Sequence, residues 1–184
     1  LATGQRVSDI VMLEGKLRVG RVAAGFVESH DGFRTTSPPA GLPTIGIRAV
    51  GAAPDASGQL VVCGAPDGLY RCQASGECKR ELDAPCTSVY WFADDTILAG
   101  DDSGGVWRFD GAFWSRSRVG RAAITDIDGV PDGGPRHVRT AAGVELVSHD
   151  LGASWIPGEW PAGRLGSGGM LARIKTDGAL EVTD

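Results

Sequence analysis

Carboxylates, cysteines and a short arginine run are the residues of this 184-residue chain whose types and spacing could do chemistry. Asp9, Asp94, Asp95, Asp101, Asp102, Asp126 and Asp128 fall in or beside turns. Hydrolysis of a glycosidic bond needs two carboxyl groups at a fixed separation, and Asp9, Asp95 and Asp126 are the candidates for such a pair. Turn formation is the competing role, because a chain without a single Asn leaves its strand ends to Asp. Arg116, Arg118 and Arg121 lie beside Trp107 and Trp114. Guanidinium groups there would fork to carboxylates while aromatic faces stack on sugars, making an anion or glycan platform. The favoured reading is plainer: an edge strand whose charges discourage sheet-to-sheet pairing. Cys63, Cys72, Cys78 and Cys86 are spaced by 9, 6 and 8 residues, without the CxxC knuckle of tetrahedral zinc sites. Disulfides are expected, with three connectivities open, and they imply an oxidising compartment: secreted, periplasmic or cell-surface. His137 has no partner set for a catalytic triad. No metal and no cofactor is expected.

Composition bounds what these residues can serve. A net charge of −5 argues against a nucleic-acid partner held by a broad basic face, and against binding to an anionic membrane surface. No apolar run approaches the roughly 18 residues that span a bilayer, so membrane insertion is not expected and the mature chain reads as soluble. The chain opens at Leu1 with no charged segment leading into an apolar one, so any signal peptide is expected to have been removed already. Twenty-eight Gly and ten Pro are more punctuation than helix bundles tolerate.

The elements that must position the chemistry come from a repeat. Gly followed by an alternating apolar run and a polar turn starts at Gly25, Gly68, Gly105 and Gly143, with spacings of 43, 37 and 38 residues. Those are propeller-blade lengths. Before each glycine lies a strand-like run ending in a turn (LRVGRVAA, LVVCGAPD, TILAGDDSG, RHVRTAA), and before that another (VSDIVML, IGIRAV, TSVYWFA, AITDIDGV). After each comes a weaker fourth: FRTT, CKREL, FWSRS and SWIPGEW. Sheets of four short strands, apolar on both faces, must pack face to face around an axis. The expected fold is therefore an all-β, four-stranded-blade β-propeller in one domain, preferred over a β-sandwich because the repeat unit keeps its internal order. Its repeats run over approximately 6–44, 45–85, 86–121 and 122–164. A half-repeat at 165–184 makes about four and a half blades and is expected to leave an incomplete ring, completed by another polypeptide, a second copy or a further section.

Ser148, Asp150, Gly152 and Trp155 complete the pattern S-x-D-x-G-x-x-W. Ser29, Asp31 and Gly32 match it without the Trp, and Asp110, Gly111 and Trp114 match it without the Ser. In these residues the chain resembles the Asp-box (BNR-repeat) β-propellers, which include sialidases, sortilin-like receptors and photosystem assembly factors. The resemblance implies a structural role: hydroxyl and carboxylate accept backbone N–H groups across a hairpin, Gly takes positive φ and Trp caps the blade core. It also implies that the boxes sit on the rim, between third and fourth strands, away from any axial site. His30 and His149 then fall in surface turns. In the second repeat CQASGEC stands where the box would be, so a Cys72–Cys78 disulfide is expected to clip that hairpin. Cys63 and Cys86 are left to pair with each other or in another arrangement. The arginine triad and the paired Tyr and Glu of sialidases find no match here.

The expectation for function is an extracytoplasmic, non-catalytic scaffold for protein binding or complex assembly, with a protein partner or a second propeller segment. The alternative is part of a glycan-binding or glycoside-hydrolase propeller using Asp9, Asp95 or Asp126.

Overall fold

A computed structural model describes residues 46–159, apart from 56, 66, 67, 76 and 130–132, together with the backbones of five strands outside that span. The chain folds as a β-propeller. All its described regular structure is β, ordered as consecutive antiparallel hairpins. The first sheet joins β1 (Val7–Leu13), β2 (Lys16–Arg21) and β3 (Gly25–Ser29). Three four-stranded blades follow. Blade 2 holds β4 (Gly46–Ala52), β5 (Leu60–Ala65), β6 (Gly68–Cys72) and β7 (Cys78–Leu82). Blade 3 holds β8 (Ser88–Trp91), β9 (Ile97–Gly100), β10 (Gly105–Phe109) and β11 (Trp114–Arg118). Blade 4 holds β12 (Ile124–Gly129), β13 (Arg136–Thr140), β14 (Glu145–Ser148) and β15 (Ile156–Pro157). A two-stranded sheet, β16 (Leu171–Ile174) with β17 (Leu180–Thr183), comes last.

Two details differ from the sequence expectation. Gly25, Gly68 and Gly105 open third strands, whereas Gly143 lies in a turn at φ 76° and β14 begins two residues later. The fourth strand of blade 4 is cut to Ile156–Pro157, because Pro157 has no N–H to continue a ladder. The FRTT segment and the first-repeat box residues Asp31 and Gly32 lie outside the described residues.

Why the sheets stack follows from period-2 burial. On β13, Arg136, Val138 and Thr140 point inward and His137 and Arg139 are half-buried on the other face. Apolar side chains on both faces need a neighbour, and each four-stranded blade supplies one to the next. Ala49, Val61, Cys63 and Leu69 of blade 2 form one cluster with Val89, Trp91, Ile97 and Ala99 of blade 3. Phe92, Leu98 and Val106 of blade 3 form another with Ile124, Ile127, Val138 and Leu146 of blade 4. The opposite face of blade 2 carries Ile47, Val50, Leu60 and Val62, where β4 meets the first sheet. The first strands β1, β4, β8 and β12 pack in succession, each against the next. Burying one such side chain contributes about 1.5–3 kcal/mol, against about 1 kcal/mol for a turn hydrogen bond, so the faces and not the rims hold the blades together.

A β-bulge recurs in first strands, between Val7 and Asp9, Ile47 and Ala49, and Ile124 and Asp126. The ladders also align the second and third strands. Leu60, Ile97 and Arg136 face Cys72, Phe109 and Ser148 respectively, making these equivalent positions.

Candidate functional site

The turn from Ser148 to Trp155 is built by its own polar groups. Ser148 Oγ donates to Asp150 Oδ1 at 2.8 Å and accepts from the Gly152 N–H at 2.7 Å. Asp150 accepts from the Ser154 N–H at 2.8 Å and from Ser154 Oγ at 2.6 Å. These donors, the Ser154 hydroxyl foremost, hold its carboxyl down at about 2. Leu151 and Gly152 take φ of 59° and 90°, and a Cβ on Gly152 would sit 2.7 Å from Leu98 Cδ2 on β9. Glycine is required there by conformation and by space. The turn also grips the preceding blade: Arg108 Nε on β10 donates to the Leu151 carbonyl at 3.0 Å, and Ser117 Oγ on β11 donates to that of Ala153 at 3.3 Å. Between them is a cleft of about 300 Å³ lined by Ser117, Arg118, Val119, Leu146, Ala153, Ser154 and Trp155.

Blade 3 repeats the device in reduced form. Asp110 Oδ1 accepts from the N–H groups of Ala112 and Phe113, Gly111 takes φ 95°, and Trp114 packs on Phe109 with ring centroids 5.3 Å apart. Those two N–H groups, Phe113 first, keep the Asp110 carboxyl below its ordinary value. Blade 2 closes the same turn covalently, with Cys72 bonded to Cys78. The pair Cys72 and Cys78 faces across the ladder as Phe109 and Trp114 do. The second disulfide joins Cys63 on β5 to Cys86 just before β8, and no cysteine is free.

The candidate chemistry is placed as follows. Asp95 lies in the turn after β8, exposed, at φ 62°. Asp126 is half-buried near the start of β12 and faces Arg139 in the ladder. Thr87 Oγ1 donates to the Ile124 carbonyl at 2.6 Å, so the starts of β8 and β12 lie side by side and Asp95 is at the other end of its strand. Four residues of strand span about 13 Å, beyond the separation of about 5–10 Å that a hydrolytic pair requires. Asp9 on β1 pairs with Gly20 on β2, at the ladder position equivalent to Asp126, and blades 2 and 3 come between them in the chain. The structure does not bring Asp95 and Asp126 together. The side chains of Asp9 and Ser29 lie outside the described residues.

The arginine run divides. Arg116 turns to the buried Asp101, with Nε and Nη2 each 2.8 Å from Oδ2, and its guanidinium lies 5.6 Å from the Trp107 ring. Trp107 Nε1 donates to the same carboxylate at 3.2 Å, and Ser103 and the Gly105 N–H donate to the other oxygen. Burial works to raise the Asp101 pKa, but these donors, led by Gly105 and Arg116, outweigh it and leave it lowered. Arg116 and Trp107 therefore form a bracket around Asp101, and Arg118 and Arg121 are the members of the run outside it.

Sequence reasoning missed three cross-blade contacts. Arg136 is fully buried where blades 2 and 3 have Leu60 and Ile97; it pairs with Asp94 at 2.7 Å and lies 3.6 Å from the Phe92 ring centroid. Beside it, burial raises the Tyr90 hydroxyl to about 12, with Asp128 adding to the shift. Arg71 on β6 reaches between Trp91 and Phe109 of blade 3, at 4.9 and 5.1 Å, and pairs with Glu81. Alternation along β13 was the available signal for Arg136, since it shares the face of Val138 and Thr140. His137 is lowered by burial. Among the described residues no cluster of three or more His, Cys, Asp or Glu is arranged to hold a metal.

Searched against family models and against curated proteins, the sequence matches neither. Solved structures do match. One is YCF48 bound to a D1 peptide, 15% identical with TM-score 0.63, matched over all of this chain and 67% of its own. Another is YCF48 from Cyanidioschyzon merolae, 15% identical with TM-score 0.64, matched over all of this chain and 74% of its own. What they share with this chain is the propeller fold.

Proposed function

We propose that the chain is an extracytoplasmic Asp-box β-propeller that binds a protein or peptide partner and does no catalysis. The observation that carries this is how the chemistry-bearing side chains are used. Asp94, Asp101, Asp110, Asp150, Arg108, Arg116 and Arg136 all close turns or tie one blade to the next. Side chains so held leave a stiff frame whose loops can recognise a partner. Peptide binding by the similar YCF48 structure supports the same reading. The two disulfides support an oxidising location. A second propeller segment is a further partner this reading admits. Panning the chain against a displayed random-peptide library tests it: a convergent consensus, binding as free peptide with micromolar Kd, is expected. Failure to enrich any sequence, together with turnover of aryl glycosides, would replace it with the glycoside-hydrolase alternative.

A further inference from the structure

From the exposed tips of two neighbouring turns we infer a docking surface for a basic peptide segment with apolar anchors, which rests on the scaffold reading above and names its partner's chemistry. In consecutive antiparallel hairpins, the turns between first and second strands and between third and fourth strands emerge at the same end of a sheet. Blades 3 and 4 share that sense, as Arg136 at the start of β13 pairs with Asp94 in the turn after β8. At this end Phe113 is 75% exposed on the turn of blade 3, and Leu151 is 37% exposed on the turn of blade 4. Ile156, on the strand that follows, is 54% exposed. A single exposed apolar residue is ordinary, but three of the four large ones among the described residues gather here. Arg108 joins the two turns, donating to the Leu151 carbonyl at 3.0 Å and lying 3.7 Å from Asp110, which in turn accepts from the Phe113 N–H at 2.9 Å. The tips are thus fixed side by side on rigid turns.

Charge says what covers them. Residues 53–59, 73–77, 92–96, 110–113 and 149–155, the turns at this end, contain no Lys or Arg. They carry exposed carboxylates at Asp55, Glu77, Asp94, Asp95, Asp110 and Asp150. On blades 3 and 4, Arg108 and Arg136 are the described cations that reach this end, and each is already set against a carboxylate; Arg71 and Lys79 border the turn of blade 2, Arg71 set against Glu81. Arg118, which ends β11, lies at the opposite end. An apolar pair ringed by negative charge fits a segment whose apolar side chains are flanked by Lys or Arg, and it repels an acidic one.

Fluorescence anisotropy on the disulfide-bonded chain tests this with three labelled probes: a short Lys–Leu peptide, a Glu–Leu peptide of the same length, and a Lys–Ser peptide without anchors. Binding of Lys–Leu alone is expected. It should weaken by about tenfold or more in Phe113→Ser, as an aromatic anchor lost from an interface does, and should weaken again as salt rises. Leu151→Asn keeps the positive φ available and should also weaken it. Equal binding of the Glu–Leu or Lys–Ser probe, binding indifferent to both substitutions, or no binding of Lys–Leu overturns the inference. Unchanged thermal unfolding of the variants separates lost contact from lost fold. If panned peptides bind and ignore Phe113→Ser, the scaffold reading stands and this surface falls. If neither panned nor basic peptides bind, both fall.

Discussion

Asp101 is the residue on which most of blade 3's polar structure converges. One buried carboxylate receives the Gly105 N–H, two groups of Ser103, the Trp107 indole and the Arg116 guanidinium. Asp101→Ala strands those donors and should cost about 3–5 kcal/mol in urea unfolding, the range for breaking a buried pair. Arg136 makes the contrasting case, since it sits where other blades have aliphatic residues. Arg136→Ala should cost about 3–5 kcal/mol, whereas Asp94→Asn with Arg136→Leu should stay within about 1 kcal/mol of the parent or exceed it, because a buried ion pair repays little more than its desolvation. Equal losses in the two variants would show that the pair stabilises in its own right. Asp150 reports on pH. Its carboxyl is lowered from 3.8 to about 2, so its contribution to stability is complete above pH 3.8 and is lost as pH falls towards 2. Carboxyl carbon NMR should follow that depressed midpoint, and Ser154→Ala should move it back towards 3.8 by removing the foremost donor.

Among elements, the turn between third and fourth strands shows one geometric need met three ways. Blade 4 uses Ser148 with Asp150, blade 3 uses Asp110 with stacked Phe109 and Trp114, and blade 2 uses a disulfide. Each closes a short hairpin at the same ladder position, so the blade 2 cysteines and the Ser148–Asp150 pair of blade 4 are alternatives and not additions. Close approach of the second strand of blade 3 to the first strand of blade 4 is a separate requirement. A Cβ on Gly100 would fall against Ile124 Cβ of the next blade and 2.5 Å from Ser88 Oγ. Both are short, stiff groups with nowhere to move. Gly100→Ala should therefore destabilise by about 1–3 kcal/mol through overpacking, read as a lower urea midpoint with an unchanged slope. An unchanged midpoint would mean the blades can slide apart at no cost.

At the scale of the molecule, the Cys63–Cys86 bond is the one covalent tie among the described residues that reaches from a second strand to the connection leading into the next blade. It closes a sequence separation of 23 residues, and removing it should lower stability by about 3 kcal/mol, measured by urea unfolding of a Cys63→Ala, Cys86→Ala variant that keeps Cys72–Cys78. The fold class was legible from sequence because the signals that set it are local and repeated. Glycine-led alternation and turn residues recur at blade spacing, and a first-strand bulge falls in step with them. Partnerships across blades were not legible: Arg116 read as part of a platform until Asp101 claimed it, and Arg136 read as an ordinary strand residue. Asp95 and Asp126 read as candidate carboxylates until the Thr87–Ile124 contact set the start of β12 beside the start of β8, away from the turn that carries Asp95. Sequence by itself determined which residues alternate, where the chain turns and that sheets must stack, since period and turn chemistry act over a few neighbouring residues. Only the tertiary structure decided which charges meet and which apolar tips stay bare, because those depend on distances between residues some forty positions apart that no local pattern encodes.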